Sequence, residues 1–397
     1  MILGGGISGL YAAHQLLKQN PDRKLIILEK EKQLGGRIFT YKDKQMTVEA
    51  GAGRFSKNHT LLLDLIHEFH LENKLVPILS SFEVAEPSPY NLKFILGKII
   101  AFSKIDPIHD LVNLSFIQYA RLVVSKEEVQ YIEDSFGYYT ELVVMNAHAT
   151  IELLLQLNDD FFILKDGLSQ LIDKLVEQIH QCPNVEICHE EVICIKRQNS
   201  LYQIQTNKNT YTTEYCICTL PANVVKKLAF FRPLEPLLRY ITTSPLCRIY
   251  SIIDNKKIKN LPKMTTKSPL RMIIPSAHTV MFYSDHKYAM YWQDLYEKKG
   301  IYGVNKALKY YVKELLNIDI EPKHTKIFYW YAGVGYWTVG AHKEKIAQQL
   351  QQPFPNFYMC GENYSAKFQQ WMEGALETSQ NVVNDFYRQH SLPTLEN

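Results

Sequence analysis

Behind the opening MILGGGISG, apolar residues recur at Leu10, Ala13, Leu16 and Leu17, the spacing of one helical face, and the pattern stops at PDR (21–23). KLIILEK (24–30) is a continuous apolar run of strand length, as a strand covered on both faces would be. Strand, glycine turn, helix and strand make the first half of a doubly wound parallel sheet. Residues 1–3 alone stand before the first glycine of the turn, so the leading strand is either truncated or short of upstream residues. HTLLLDLIHEFH (59–70) and DGLSQLIDKLVEQI (166–179) predict two further amphipathic helices. From about 77 to 165 the chain turns aromatic and partly helical without a βαβ rhythm, which reads as an insertion. VEICHEEVICIKRQ, LYQIQT and EYCICTLPA predict strands of a meander returning to the first sheet. Residues 245–330 read as a second insertion, with strands at CRIYSIID, HTVMFYSD and YAMYWQD and a helix over about 303–316. A strand, a glycine turn and a long helix close the chain.

Gly4, Gly6 and Gly9 form G-x-G-x-x-G between the first strand and helix, with Ile7 and Ser8 opening that helix. The first glycine permits the tight turn, the second lets a pyrophosphate approach the backbone, and the third lets helix and strand pack closely. Glu29, with Lys30 beside it, ends the second strand twenty residues on, where a carboxylate can accept both ribose hydroxyls. Gly35, Gly36 and Arg37 follow, and an arginine there can pair with the pyrophosphate from the opposite side. The pattern predicts dinucleotide binding without separating NAD from FAD. In EAGAGRF (49–55), Gly51, Ala52 and Gly53 leave the main chain nearly bare, as close approach of a flat group would require, and Arg54 and Phe55 follow at once.

At 397 residues the chain is long enough for two domains. A net charge of +3, scattered along the chain, argues against nucleic acid and against an anionic membrane as partners. Seven cysteines, an odd number without paired spacing, predict buried reduced thiols, no metal site and an intracellular, cytoplasmic protein. No apolar run is long enough to span a bilayer, and no charged leader precedes the first apolar run.

LGGR, EAGAGRF and the terminal CGENYSAKFQQWMEGALETSQ together resemble the flavin-containing amine oxidase family, which holds monoamine, polyamine and L-amino acid oxidases. The resemblance implies an α/β fold: a Rossmann-like FAD-binding domain (a doubly wound sheet plus a β-meander) over 1–76, 160–242 and 328–397, with an inserted α+β substrate domain over 77–159 and 243–327. It implies noncovalent FAD, since no cysteine lies near GVGYW. Gly361, Glu362, Trp371, Met372, Glu373, Gly374 and Ala375 match the turn and helix that close over the flavin, and Val192 falls where the family sandwiches adenine. A helix opening near Met372 would point its dipole at the flavin edge where charge gathers on reduction.

By the same resemblance, Gly51 and Gly53 pass the isoalloxazine ring and Arg54 grips an α-carboxylate, as in the L-amino acid oxidases, with Trp371 as a wall of the cavity. Arg271 is either a second carboxylate partner or, more simply, a surface charge. Tyr336 and Trp337 lie where the family places an aromatic facing the flavin. Arg248 stands where the family often has a lysine that holds a water at flavin N5, which puts fast reoxidation in question. The implied reaction passes a hydride from an amine or amino acid to the flavin; imine, carbonyl product, ammonia and, with molecular oxygen, hydrogen peroxide follow. Desaturase or porphyrinogen-oxidase chemistry, favoured by the apolar stretch 90–125, and a non-catalytic flavoprotein are the competing readings. Oligomeric state is not legible.

Overall fold

The computed structural model describes residues 1–79, 81–156 and 160–390. Strand β1 (Ile2–Leu3), helix α1 (Ile7–Gln19) and β2 (Leu25–Glu29) form as the glycine turn predicts, and α2 (Thr60–Glu68) follows. The first insertion is a cluster of five helices: α3 (Leu92–Ser103), α4 (Phe116–Val123), α5 (Lys126–Ser135), α6 (Tyr139–Val143) and α7 (Ala147–Gln156). Ser115 and Ser125 each close a capping box, which starts α4 and α5 where they start. Then come α8 (Ser169–His180), β3 (Val185–His189), a meander of β4 (Val192–Gln198), β5 (Leu201–Thr206) and β6 (Thr210–Thr213), and β7 (Cys216–Cys218). The second insertion carries β8 (Ile241–Ile253), β9 (Val280–Asp285), α9 (His286–Leu316) and β10 (Pro322–Trp337), before β11 (Phe357–Met359) and α10 (Met372–His390) end the described chain.

Five strands make one parallel sheet in the order β11-β7-β1-β2-β3. β1 sits at its centre with two residues only, Ile2 and Leu3, each paired on both sides. Gly9 is forced by packing: a Cβ there would lie 2.1 Å from the Gly4 carbonyl oxygen. Gly4 has φ +109, which few residues besides glycine adopt. α1 lies against α10, with Ser8 Oγ 2.6 Å from Ser379 Oγ and Tyr11 donating to Gln380. Leu10, Leu16, Leu17, Val382 and Val383 are buried in the core these helices share. Each such side chain contributes about 1.5–3 kcal/mol by leaving water.

Two expectations about elements need correction. VEICH does not belong to the meander; it is the edge strand β3 of the parallel sheet, and the meander starts only at Val192. Glu190 marks the junction, its carboxylate accepting from Thr206, Asn209 and Tyr211 and so tying the meander to the sheet edge. YAMYWQD is helix rather than strand. It opens α9, a 31-residue helix whose two halves meet at Gly300 with φ 59. Ala289 and Trp292 turn inward at helical spacing, and Trp292 donates to the Pro269 carbonyl. β8, β9 and β10 belong to a six-stranded sheet that also takes in short strands at 272–275, 264–265 and 83–84.

The Glu373 carboxylate caps α2, a separate helix, accepting from the amides of Leu61 (2.9 Å) and Leu62 (3.0 Å). These are orphan donors of a first turn, and α2 has no side-chain cap of its own at His59. Glu373→Ala should therefore lower the unfolding free energy by about 1–3 kcal/mol, measured as a lower denaturant midpoint; an unchanged midpoint would contradict the capping role.

Candidate active site

The glycine turn forms an anion-ready cradle. Helix α1 begins after Gly6 with no side-chain cap and no acidic residue in its first turn, so its positive end is left for another group. Gly35 and Gly36, at φ +104 and +60, bring a second loop alongside, and Gly35 donates to the Gly5 carbonyl. A Cβ on Gly6 would stand 3.9 Å from the Gly36 Cα, and one on Gly36 3.3 Å from the Gly6 Cα. Two bare main chains at an uncapped helix end fit a pyrophosphate. Glu29 closes the turn from below, accepting from Gly5 N (2.8 Å) and Glu31 N (3.0 Å), while Lys30 is exposed beside Glu31. Val192, half-buried, opens the meander opposite Thr206.

Arg37 does not stand free beside this cradle. Its guanidinium is paired with Glu362 and donates to the Gly333 carbonyl (3.1 Å). Buried Glu362 also accepts from Asn363 and from the amide of Gln370 (3.0 Å). Gly361 (φ +136) begins this turn, and Gln370, at φ +77, holds a conformation unfavourable for its side chain immediately before Trp371. Gly374 is again demanded by packing, since a Cβ would lie 2.3 Å from Phe368 O; Met372 and Ala375 are buried against α1. The structure thus joins LGGR, GEN and WMEGA at one place.

EAGAGRF sits beside them, though its glycines answer first to the protein. A Cβ on Gly51 would be 2.0 Å from the Arg37 carbonyl oxygen, and Ala50 and Ala52 bond the Phe39 and Arg37 carbonyls at 2.9 Å. At Gly53 a Cβ would be 2.9 Å from Arg248 Nη1. Close approach of chain to chain accounts for these glycines before any cofactor does.

Arg54 projects from this segment into aromatic surroundings. It lies 4.8 Å over the Phe161 ring and 5.9 Å from that of Trp371, and donates to the Tyr138 hydroxyl at 2.9 Å. Trp371 stacks on Phe161 and meets His59 edge-on. Among the described residues no carboxylate forms an ion pair with Arg54. Arg248 is half-buried, donates to the Glu49 carbonyl (2.9 Å) and lies 4.9 Å over the Tyr283 ring. Tyr336 and Trp337 are both fully buried, and as neighbours at the end of one strand they point to opposite faces. Trp337 donates to the Ser365 carbonyl.

Arg271 is neither a surface charge nor a substrate partner. It is 0% exposed, at φ 50, and its guanidinium donates to the carbonyls of Glu133, Asp134, Phe136 and Thr266, tying the end of α5 to the six-stranded sheet. The sequence reading missed Tyr138, Phe161 and Glu49. Only Glu49, inside the glycine segment already singled out, had a local signal.

An uncapped helix at a glycine cradle, closed by a turn from the far end of the chain, defines a dinucleotide-binding fold. The profile of flavin containing amine oxidoreductases matches residues 7–99 and 108–385, and the chain belongs to that family. It is an oxidoreductase acting on CH–NH groups with noncovalent FAD as cofactor. An uncharacterized protein of Acanthamoeba polyphaga mimivirus is 21% identical over 98% of this chain and 93% of its own length. The L-amino-acid oxidase of Sistrurus catenatus edwardsii is 22% identical over 99% of this chain and 88% of its own. Among solved structures, a putrescine oxidase redesigned at its cofactor site superposes with TM-score 0.78 at 15% identity, covering 98% of both chains. A provisionally named protoporphyrinogen oxidase from Exiguobacterium sp. 255-15 does so with TM-score 0.74 at 18% identity, again over 98% of both. Among the described residues no helix is long and apolar enough to cross a membrane, and no His, Cys, Asp and Glu cluster could hold a metal.

Glu49 carries a pH signature. Burial pushes its carboxyl up from 4.5 to about 7, against hydrogen bonds from Leu168 N and Thr40 Oγ1 and the nearby Arg248 charge, which pull it down. A folded-state pKa above the unfolded one adds stability below pH 4.5 that is lost as pH rises through 7. This one group should therefore cost roughly 3 kcal/mol between those limits. Glu49→Gln should flatten that part of the stability–pH curve; a slope unchanged in the variant would show that the carboxyl titrates normally.

Proposed function

We propose that the protein is an FAD-dependent oxidase of L-amino acids, with Arg54 gripping the substrate α-carboxylate. The observation that carries this is the state of Arg54: a guanidinium bonded to one phenol and flanked by ring faces, with no carboxylate among the described residues in ion-pair contact. A cation held this way has donors left for an anionic ligand, and a planar fork suits a carboxylate. Gly4, Gly6, Ile7, Ser8 and Gly9, with Gly36, would hold the pyrophosphate, and Glu29 the ribose. Arg37, Glu362 and the start of α10 would hold the flavin half. We assign the parallel sheet and meander to the cofactor and the helical cluster with the six-stranded sheet to the substrate.

When bound, FAD supplies a two-electron acceptor that dioxygen restores, with hydrogen peroxide as product. The chain's own share is to orient and to dry. Arg54 fixes the carboxylate, and so the position of the α-carbon one bond away. Trp371, Phe161 and Tyr138 shield that centre from water, and an imine released from it hydrolyses in solution to a keto acid and ammonia. Arg248, its guanidinium donating to the Glu49 carbonyl, contributes a fixed positive charge at the same site.

The competing reading, removal of hydrogen from carbon–carbon or ring positions, draws on the exposed apolar residues Phe94, Phe102, Ile105 and Ile108 of the helical cluster. Anaerobic mixing separates the two: L-amino acids should bleach the flavin absorbance, and bleaching by no amine at all would retire the oxidase reading. Arg54→Met should lower kcat/KM for amino acids at least about 100-fold and leave the flavin content intact.

A further inference from the structure

Arg54 and Arg248 come from distant parts of the chain and meet at one pair of phenol rings. Arg54 donates to the Tyr138 hydroxyl (2.9 Å). The Tyr138 ring meets the Tyr283 ring edge-on, with centroids 5.9 Å apart. Arg248 on β8 stands opposite Tyr283 on β9 in the sheet register, and its guanidinium lies 4.9 Å over that ring. The two arginines also approach along the main chain: a Cβ on Gly53, the residue before Arg54, would stand 2.9 Å from Arg248 Nη1. Burial holds the proton affinity of both phenols up, and each guanidinium pulls it down. Both arginines are half-buried, and among the described residues neither forms an ion pair. The acids of the surrounding segments face elsewhere. The Asp285 carboxylate accepts from the amides of Tyr139 (3.0 Å) and Thr140 (2.7 Å), and that of Glu49 from Leu168 N (2.6 Å) and Thr40 Oγ1 (2.9 Å). Burial raises the Glu49 carboxyl to about 7, so near neutral pH it offsets the Arg248 charge only in part.

We propose that the substrate is an L-amino acid with a second carboxylate in its side chain, aspartate or glutamate, held by Arg54 at the α-carboxylate and by Arg248 at the side-chain carboxylate. The inference rests on the amino-acid reading above and names the class of amino acid. Two guanidiniums gathered among aromatic rings without a matching pair of anions are costly, because each has lost water and gained no counter-charge. An amino acid with one carboxylate satisfies one of them and strands the other. A dicarboxylate satisfies both, and each fork offers the planar pair of donors that a carboxylate accepts. The amides asparagine and glutamine have nearly the same size and shape, yet they bring no charge and turn an NH2 group toward donors that cannot accept from it. The site should therefore reject them. Two anchors also stop rotation about the α-carboxylate and hold the α-carbon in one orientation.

The test is anaerobic flavin reduction in the holoenzyme by L-glutamate against L-glutamine and by L-aspartate against L-asparagine, with L-leucine as a third comparison. In the wild type at least one acid should reduce the flavin about 100-fold faster than its amide at equal, low concentration. Arg248→Met should bring that ratio close to one with flavin content kept, and Arg248→Lys should retain part of it. Arg54→Met should lose acid and amide alike. Amides or leucine that reduce the wild-type flavin as fast as the acids would overturn the proposal and leave the amino-acid reading standing. So would an Arg248→Met variant, full of flavin, in which acid and amide slow by the same factor, the mark of a role at the cofactor. If Arg248→Met loses its flavin, the wild-type ratio of acid to amide decides. A wild type that no amino acid reduces would sink the parent reading and this one with it, an outcome visible before any variant is made.

Discussion

The ion pair between Arg37 and Glu362 is the constraint on which the rest of the site depends. One partner follows the second strand and the other begins the last turn, 325 residues apart. Glu362 is almost fully withdrawn from water, so its charge is tolerable only with the guanidinium, the Asn363 amide and the Gln370 N–H arranged around it. Losing one member of such a set leaves the other charge stranded, at a cost of about 3–5 kcal/mol. The same contacts pull Gln370 into its unfavourable backbone conformation and so set where Trp371 points. Strain of this kind persists only where the surroundings over-determine it.

From that hub the candidate site is assembled by helix ends and carbonyls more than by ion pairs. Glu373 caps α2, Asp285 caps α6, Glu49 accepts from the residue that opens α8, and Arg271 gathers four main-chain carbonyls. Each ties one segment to another far away in sequence, and each uses a charged group that has no freedom left for a ligand. Arg54 stands apart from this pattern. Its charge is not consumed by scaffolding, which is the physical basis for giving it chemical work.

Both edges of β1 are paired, and α1, immediately after it, packs onto α10. The stability of that strand comes from its neighbours, and no property of residues 1–3 in isolation would suggest it.

The chain by itself determined the elements that are short-range. Glycines at positions 4, 6 and 9 specify a turn into a helix because each is needed within five residues of the others; Glu29 and Arg37 are readable from their spacing after it, and the WMEGA segment from its resemblance to the family. Misreadings arose where local pattern is ambiguous. The short aromatic run YAMYWQD fits strand or helix until Ala289 and Trp292 are seen to turn inward, and VEICH could join either of two sheets. Partnership was beyond the sequence altogether. That Arg54 meets Tyr138, Phe161 and Trp371, and that Arg271 is sealed among the carbonyls of α5, are contacts between segments 80 to more than 300 residues apart. Burial and electrostatic fields are sums over everything packed nearby, so a charged residue's task, whether scaffold or chemistry, is decided only when the tertiary structure says which other charges it faces.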